Sequence, residues 1–237
     1  MYDITVDLKS LEKEVIKYEQ EPIEKGKILF YGHSLFTRWG LPKFGYRRMD
    51  EDVRMKDGSL AVVNHGFGTS TCEEMLYYYD RMVRPWEPRA LVVSSLRNDY
   101  LYGYYPELTM NVIARMLHWA RTDFPGIKLF LVEDHPCPSG KDYPRKDLWN
   151  GSQHQRERYL EMLHTYARTH EDTQVIELWN QPEFFETPED VGNYRKVRDD
   201  LFVEDGVHPN QAGYDVLAPI FRKALDGVGK AGGVEAL

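Results

Sequence analysis

Ile28-Leu29-Phe30-Tyr31-Gly32-His33-Ser34 is a short apolar run that stops at Gly-His-Ser. A continuous run of this kind suits a strand covered on both faces, as in a parallel sheet, rather than the alternating pattern of a half-exposed strand. Reckoned from Lys27 to Tyr31, it is the first of five. The others are Ala61–Asn64, Ala90–Ser94, Lys128–Val132 and Gln174–Leu178. Between them lie stretches with helical spacing. Ser70–Val83 opens on Ser and Thr caps and carries Glu73-Glu74 in its first turn, where carboxylates oppose the helix dipole. Glu107–Thr122 repeats Leu108, Val112, Met116 and Trp119, and Gln153–Thr169 and Gln211–Ala224 follow the same pattern. Alternation of strand and helix about five times predicts an α/β domain, with a parallel sheet and helices on both faces.

Upstream, residues 5–20 place Leu8, Leu11, Val15 and Tyr18 at helical spacing, and Pro22 and Gly26 end the segment. The chain therefore divides into an N-terminal helical extension, 1–26, and a single domain, 27–237. Its 237 residues, 42% of them hydrophobic, are enough for one sizeable core. A net charge of −8 without a basic patch argues against nucleic acid or an anionic membrane as partner. No apolar run approaches the roughly 20 residues of a membrane span, and no secretory signal is visible. Cys72 and Cys137 form no CxxC pair, for which a reducing cytoplasm is the simplest home and a disulfide between them the alternative; Cys72 falls near a helix start, which favours a thiolate, but reads best as a small buried filler. Oligomeric state leaves no signal in the sequence.

In such sheets the working groups gather where strands end at their carboxyl termini. The loops to search are Gly32–Leu35, His65–Thr71, Ser95–Tyr105 and Glu133–Ser139. Ser34 is either a nucleophile whose own N–H helps hold an oxyanion or an N-cap for Leu35–Trp39. Phe36 stands where a G-x-S-x-G elbow needs glycine, so the α/β-hydrolase turn is disfavoured. Asp205 and His208, three apart, can face the same way: Asp205 to take the Nδ1 proton, His208 to present Nε2 to a serine. The alternative is a surface histidine with a capping aspartate. Pro209 holds His208 extended and can start the last helix. Asn98 can donate its amide to an oxyanion or close an Asx-turn, with Asp99 tying down the loop. His65-Gly66-Phe67-Gly68-Thr69-Ser70-Thr71 lacks GK[ST], so nucleotide binding is rejected; the histidines at 33, 65, 118, 135, 154, 164 and 170 show no metal-ligand spacing. Neither cofactor nor metal is expected.

Taken together, these blocks resemble the SGNH hydrolase superfamily, the GDSL-like lipases and acylhydrolases. Ile28–Ser34 looks like the first block, with His33 where the family often has Asp or Ser, and Arg38-Trp39 also fits. Asn64–Thr71 looks like the second block and Leu96-Arg97-Asn98-Asp99 like the third, GxND. Val203–Tyr214 matches the DGxHxNxxGY form of the last block, the most specific of the four. The resemblance implies a flavodoxin-like three-layer α/β/α sandwich around a central, mainly parallel five-stranded sheet. It also implies ester hydrolysis without a metal, with Ser34 as nucleophile, His208 as base and Asp205 as its orienter. The oxyanion donors would be the amides of Ser34 and Thr69 and the side chain of Asn98. Thr69 and Leu96 stand where the family carries glycine, and a β-branched residue is poorly suited to positive φ. These two positions favour the rival reading, a binding protein of the same fold without efficient turnover. The implied substrate is a small-molecule ester, with short acyl groups, acetyl on carbohydrate among them, preferred because no long apolar lid is visible. Tyr100 and Tyr102, from a loop of four tyrosines, and Trp39 are the candidate substrate contacts; the tyrosines could equally fold into the core.

Overall fold

The computed structural model describes residues 7–59, 61–138 and 153–228. Five strands, β1 (Ile28–Gly32), β2 (Val62–Gly66), β3 (Ala90–Ser94), β4 (Lys128–Val132) and β5 (Thr173–Ile176), form one sheet in the order β2-β1-β3-β4-β5. Every pairing is parallel, with Gly32 opposite both Gly66 and Ser94. β1 and β3 are buried at each residue, as continuous apolar runs require of strands covered on both faces.

One face is covered by α1 (Glu12–Glu19), α4 (Cys72–Met82), α6 (Pro106–Asp123) and α7 (Gln153–Arg168), over a core that includes Tyr31, Tyr78, Ile113 and Leu163. The other carries the short α2 (Ser34–Thr37) and α3 (Met49–Asp52) and the last helix, α8 (Gln211–Leu225), over Phe30, Phe36, Trp39 and Phe221. A further short helix, α5 (Arg97–Leu101), follows β3. The result is the three-layer α/β/α sandwich with a five-stranded parallel sheet that the sequence pattern predicts.

Element ends depart from the sequence expectation for local reasons. α1 starts at Glu12 because Asp7 draws the chain into a turn, accepting from Lys9 N–H (3.0 Å) through its side chain and from Ser10 N–H (2.8 Å) through its carbonyl. Residues 5 and 6 lie outside the described residues. β5 ends at Ile176 because the N–H groups of Leu178 and Trp179 both turn to the Glu133 carboxylate, at 2.9 Å each. Pro209 does not open α8; Asn210 is the N-cap and accepts from Gly213 N–H (3.1 Å). Cys72, first residue of α4, is fully buried, and burial pushes its thiol far above the usual range, so the filler reading holds over a reactive thiolate.

Glycine at 66 is dictated by close approach. A Cβ there would stand 2.7 Å from both the carbonyl carbon and the Cβ of Phe36 and would also meet the Thr37 amide. Gly66→Ala is therefore expected to force α2 off β2 and cost about 1–3 kcal/mol, a fall in Tm of roughly 3–10 °C by thermal denaturation. An unchanged Tm would show that α2 can lift off the sheet at no cost.

Candidate functional site

β1 delivers Gly32-His33-Ser34 to the carboxyl edge of the sheet, and α2 begins at once. Its N-cap is His33, whose Nδ1 accepts from Leu35 N–H at 3.3 Å. That leaves the His33 Nε2 proton to face Ser94 Oγ, also at 3.3 Å. Burial lowers the His33 pKa to about 4, so the cap is a neutral imidazole. With the cap supplied by its neighbour, Ser34 keeps its hydroxyl free.

The last block folds by dividing labour among its polar positions. Asn210 caps α8 and donates through Nδ2 to the carbonyls of Asp200 (2.8 Å) and Phe202 (3.1 Å). The hydroxyl of Tyr214 donates to the Leu35 carbonyl at 3.0 Å, fastening α8 to α2. The turn 205–208 is closed by Asp205 Oδ1, which accepts from Val207 N–H and His208 N–H at 2.9 Å each. Oδ2 of the same carboxylate lies 2.6 Å from His208 Nδ1. Since a carboxylate only accepts, Nδ1 carries the proton, and Nε2 is left to accept from Ser34 Oγ at 2.9 Å. Ser34, His208 and Asp205 thus stand in one hydrogen-bonded line.

Arg38, at the C-cap of α2, brings Nη1 to 3.5 Å from Asp205 Oδ2. Burial acts to raise the Asp205 pKa, but the hydrogen bonds from the His208 ring and from the His208 and Val207 amides outweigh it and hold the carboxyl well below its usual range. The pKa of His208 is lowered, first by burial, against the opposing pull of Asp205; Arg38 and Arg97 push it further down.

The other named donors lie beyond the ends of β2 and β3. Asn98, on α5, gives one amide proton to the Ser70 carbonyl (2.8 Å), which fixes its rotamer and leaves a second proton. Thr69 is exposed, at φ 69°. Among the described residues neither the Thr69 nor the Ser34 N–H has a hydrogen-bond partner. Asp99 does tie down its loop, accepting from the amides of Cys72 (3.0 Å) and Leu96 (3.1 Å).

The candidate substrate contacts divide. Tyr102 is 48% exposed, whereas Tyr100 is buried in the core with its loop neighbour Tyr104. Trp39 is buried too, stacked on Tyr214 with ring centroids 4.8 Å apart, its Nε1–H donating to Asp52 at 2.8 Å. Its ring backs α2 from inside and offers no face to a ligand. Among the described residues no group of three or more His, Cys, Asp and Glu side chains is arranged to hold a metal ion. Ser139, at the end of the fourth loop, lies outside the described residues.

Sequence reasoning names the loop after β4 without choosing a residue in it. The structure places Asp134 and His135 there, both buried, with Arg97 reaching them from α5. The one available signal is an arginine inside the third block, between Leu96 and Asn98.

This architecture belongs to a known class of hydrolases. The GDSL-like Lipase/Acylhydrolase family matches residues 30–216, and the chain belongs to that family. It is a carboxylic ester hydrolase. A Streptococcus pneumonia protein provisionally named as a platelet activating factor is similar in fold, at TM-score 0.72 and 16% identity over 92% of this chain and 94% of its own. A GDSL-like lipase from Bacteroides thetaiotaomicron is similar at TM-score 0.66 and 17% identity, over 93% of this chain and 98% of its own. A lipase/acylhydrolase from Enterococcus faecalis has TM-score 0.65 and 18% identity, over 85% of this chain and 96% of its own. No curated protein matches the sequence.

Both family glycine positions held by other residues keep a glycine-like backbone: Thr69 at φ 69° and Leu96 at φ 116°. Their replacement by glycine should differ in outcome. At exposed Thr69, relief of left-handed strain of about 1 kcal/mol is offset by a similar backbone entropy, so stability should stay within about 1 kcal/mol. Leu96 is fully buried in the core, and Leu96→Gly should cost about 2 kcal/mol or more despite the relieved φ. Urea unfolding of the two variants checks this; a stabilised Leu96→Gly would mean that strain outweighs packing there.

Proposed function

We propose that this protein is a serine esterase in which Ser34 attacks the ester carbonyl carbon and passes its proton to His208 Nε2. Asp205 stabilises the imidazolium. The negative charge that develops on the carbonyl oxygen is met by the Ser34 and Thr69 amides and the spare Asn98 proton. Collapse expels the alcohol, which takes the proton from His208 and leaves Ser34 acylated. Water then adds to the acyl carbon, giving a proton to His208; the second collapse returns that proton to Ser34 Oγ and releases the carboxylic acid. The observation that carries this reading is the unbroken line from Asp205 through His208 to Ser34 Oγ, at 2.6 and 2.9 Å.

Among esters we favour short acyl groups, acetyl on carbohydrate included. Tyr102 and Tyr105, both exposed on the loop that carries Asn98, offer ring faces of the kind sugars stack on. In this reading residues 27–237 form the catalytic domain, and 1–26 an extension whose Tyr18 hydroxyl reaches the Gly66 carbonyl. Cys72 and Cys137, both free, suit a reducing cytoplasm. No helix among the described residues is long and apolar enough to cross a membrane.

A fluorophosphonate probe should label Ser34, and Ser34→Ala should lower hydrolysis of a p-nitrophenyl ester by about 10³-fold or more. Wild-type rates in that variant would overturn the assignment. Asn98→Ala should lower kcat by roughly 10²-fold with little change in KM, because the oxyanion exists only in the transition state. A panel of acyl esters from acetyl upward, with acetylated sugars beside them, reads the acyl preference; faster turnover of long chains would refute the short-acyl proposal.

The pH profile has a defined sign. His208 must be neutral to accept the Ser34 proton, and its pKa lies below the ordinary 6.5. Thus kcat/KM should rise with pH through a midpoint below about 6.5 and stay level above it. A midpoint clearly above that value would mean that Asp205 outweighs burial at the imidazole.

A further inference from the structure

We propose that Arg97 is a positioning residue of this esterase: anchored on Asp134, its guanidinium holds the Val207 carbonyl and so sets where His208 stands relative to Ser34. The proposal rests on the reading of Ser34 and His208 given under Proposed function.

Arg97 is buried, and its planar fork, carried by α5, faces two other loops at once. Nη2 and Nε meet the two Asp134 oxygens at 2.6 and 3.3 Å. Nη2 also donates to the His135 carbonyl at 3.1 Å, and Nη1 to the Val207 carbonyl at 2.9 Å. The last contact matters most. The peptide unit joining Val207 to His208 is held from both sides, its C=O by Arg97 and its N–H by Asp205 Oδ1. Two opposed hydrogen bonds fix the plane of that peptide, and the plane sets the direction in which the His208 side chain leaves the backbone.

The Asp205 contacts alone close a local turn and would let the turn pivot as a body. Arg97 ties it to the loops after β3 and β4, which grow from the same rigid sheet edge as Ser34. A lysine could keep the charge but not the fork, since an ammonium cannot bind a carboxylate in a bidentate manner and reach a second loop in the same plane. Asp134 is the natural anchor. Burial would raise its pKa, but the Arg97 and Arg156 charges prevail and hold it near 2, so the anchor stays ionised.

The alternative is a buried ion pair that supports the fold and nothing more. The two differ at His208. The charged groups facing the imidazole are Asp205 from its own loop, Arg38 from α2 and Arg97 from α5; the neighbouring histidines, His33 and His135, are neutral, lowered to about 4 and 3 chiefly by burial. Removing Arg97 removes one of the two cations and should raise the His208 pKa.

The test uses the full chain with a p-nitrophenyl ester across pH. Arg97→Lys should lose about 10- to 100-fold in kcat through misplaced geometry, with KM changed less than about threefold. Its pH midpoint should stay near wild type, because the cation remains. Arg97→Met should lose as much and shift the midpoint upward by roughly half a unit to one unit. Since Arg97→Met strands the Asp134 charge and can fail to fold, the double variant Arg97→Met/Asp134→Asn is made beside it. A folded double variant, or Arg97→Lys, with wild-type kcat overturns the proposal, as does a loss of kcat in Arg97→Met with no movement of the midpoint. Ser34→Ala runs as the control. Residual wild-type activity there sinks the underlying site reading, whereas an inactive Ser34→Ala beside a fully active Arg97→Lys sinks the Arg97 proposal alone.

Discussion

The Asp99 carboxylate is fully buried, and donors from several elements converge on it. Cys72 N–H comes from the start of α4, Leu96 N–H and Ser95 Oγ from the turn after β3, and Thr109 Oγ1 from α6. Burial raises its pKa, and the donors from Cys72, Leu96 and Ser95 oppose that rise. A carboxylate in this position is tolerable only while its donors are in place, so the elements that supply them are locked to one another. The consequence reaches the site. Fixing the start of α4 against α5 sets Ser70 opposite Asn98, and the Ser70 carbonyl then fixes the Asn98 amide. The loop that carries Asn98 is therefore built on a buried carboxyl group.

Much of this was legible in the sequence because it depends on local rules. Continuous apolar runs mark strands covered on both faces, and the strand centres follow from them without knowledge of pairing. The last block is legible for a different reason. Asp205, His208, Asn210, Gly213 and Tyr214 each answer a separate demand, namely a turn, a ring facing Ser34, a cap, a close approach to Leu201 and a tie to α2, so the spacing is over-determined. What stayed hidden is what long-range partners decide. β5 stops at Ile176 because Glu133, more than 40 positions earlier, captures the next amides. Trp39 points inward because Tyr214 and Asp52 wait there. Arg97 gains its meaning from Asp134 and Val207, neither of which marks itself in the sequence.

Thr69 and Leu96 show two ways to occupy a glycine backbone without glycine. Left-handed or more extreme φ costs an ordinary residue about 1–3 kcal/mol unless its surroundings over-determine it. At Leu96 they do: the side chain is buried in the larger core, and the amide is held by Asp99. Burial of a leucine is worth about as much as the strain, so the conformation persists. Thr69 has no such compensation, being exposed, yet its flanks are pinned by Ser70 N–H on the Phe67 carbonyl and by the Thr71 capping box at the start of α4. Strain at 69 is thus imposed from both sides. An amide left unpaired in an imposed conformation is what a preorganised oxyanion donor requires, since it cannot relax toward another acceptor before the charge appears. The departure from glycine, which at the level of sequence favoured a protein without turnover, loses that force once the backbone is seen to hold its φ.

The same logic explains why His33 rather than Asp or Ser precedes the proposed nucleophile. α2 needs an N-cap, and a serine at its first position is a natural competitor for the task. If the Ser34 hydroxyl turned back to cap, it would leave His208 Nε2 without its serine. An imidazole at 33 takes the Leu35 amide through Nδ1, and its Nε2 proton is occupied by Ser94, so the ring is held at both ends. Its neutrality matters as well. A charged group at this position would sit among Asp134, Arg97 and His208, whose fields already reach it. An aspartate would draw the His208 pKa upward and leave less of the ring neutral near neutral pH, whereas a neutral histidine caps the helix and leaves burial, Asp205 and the two arginines to set the pKa of the imidazole.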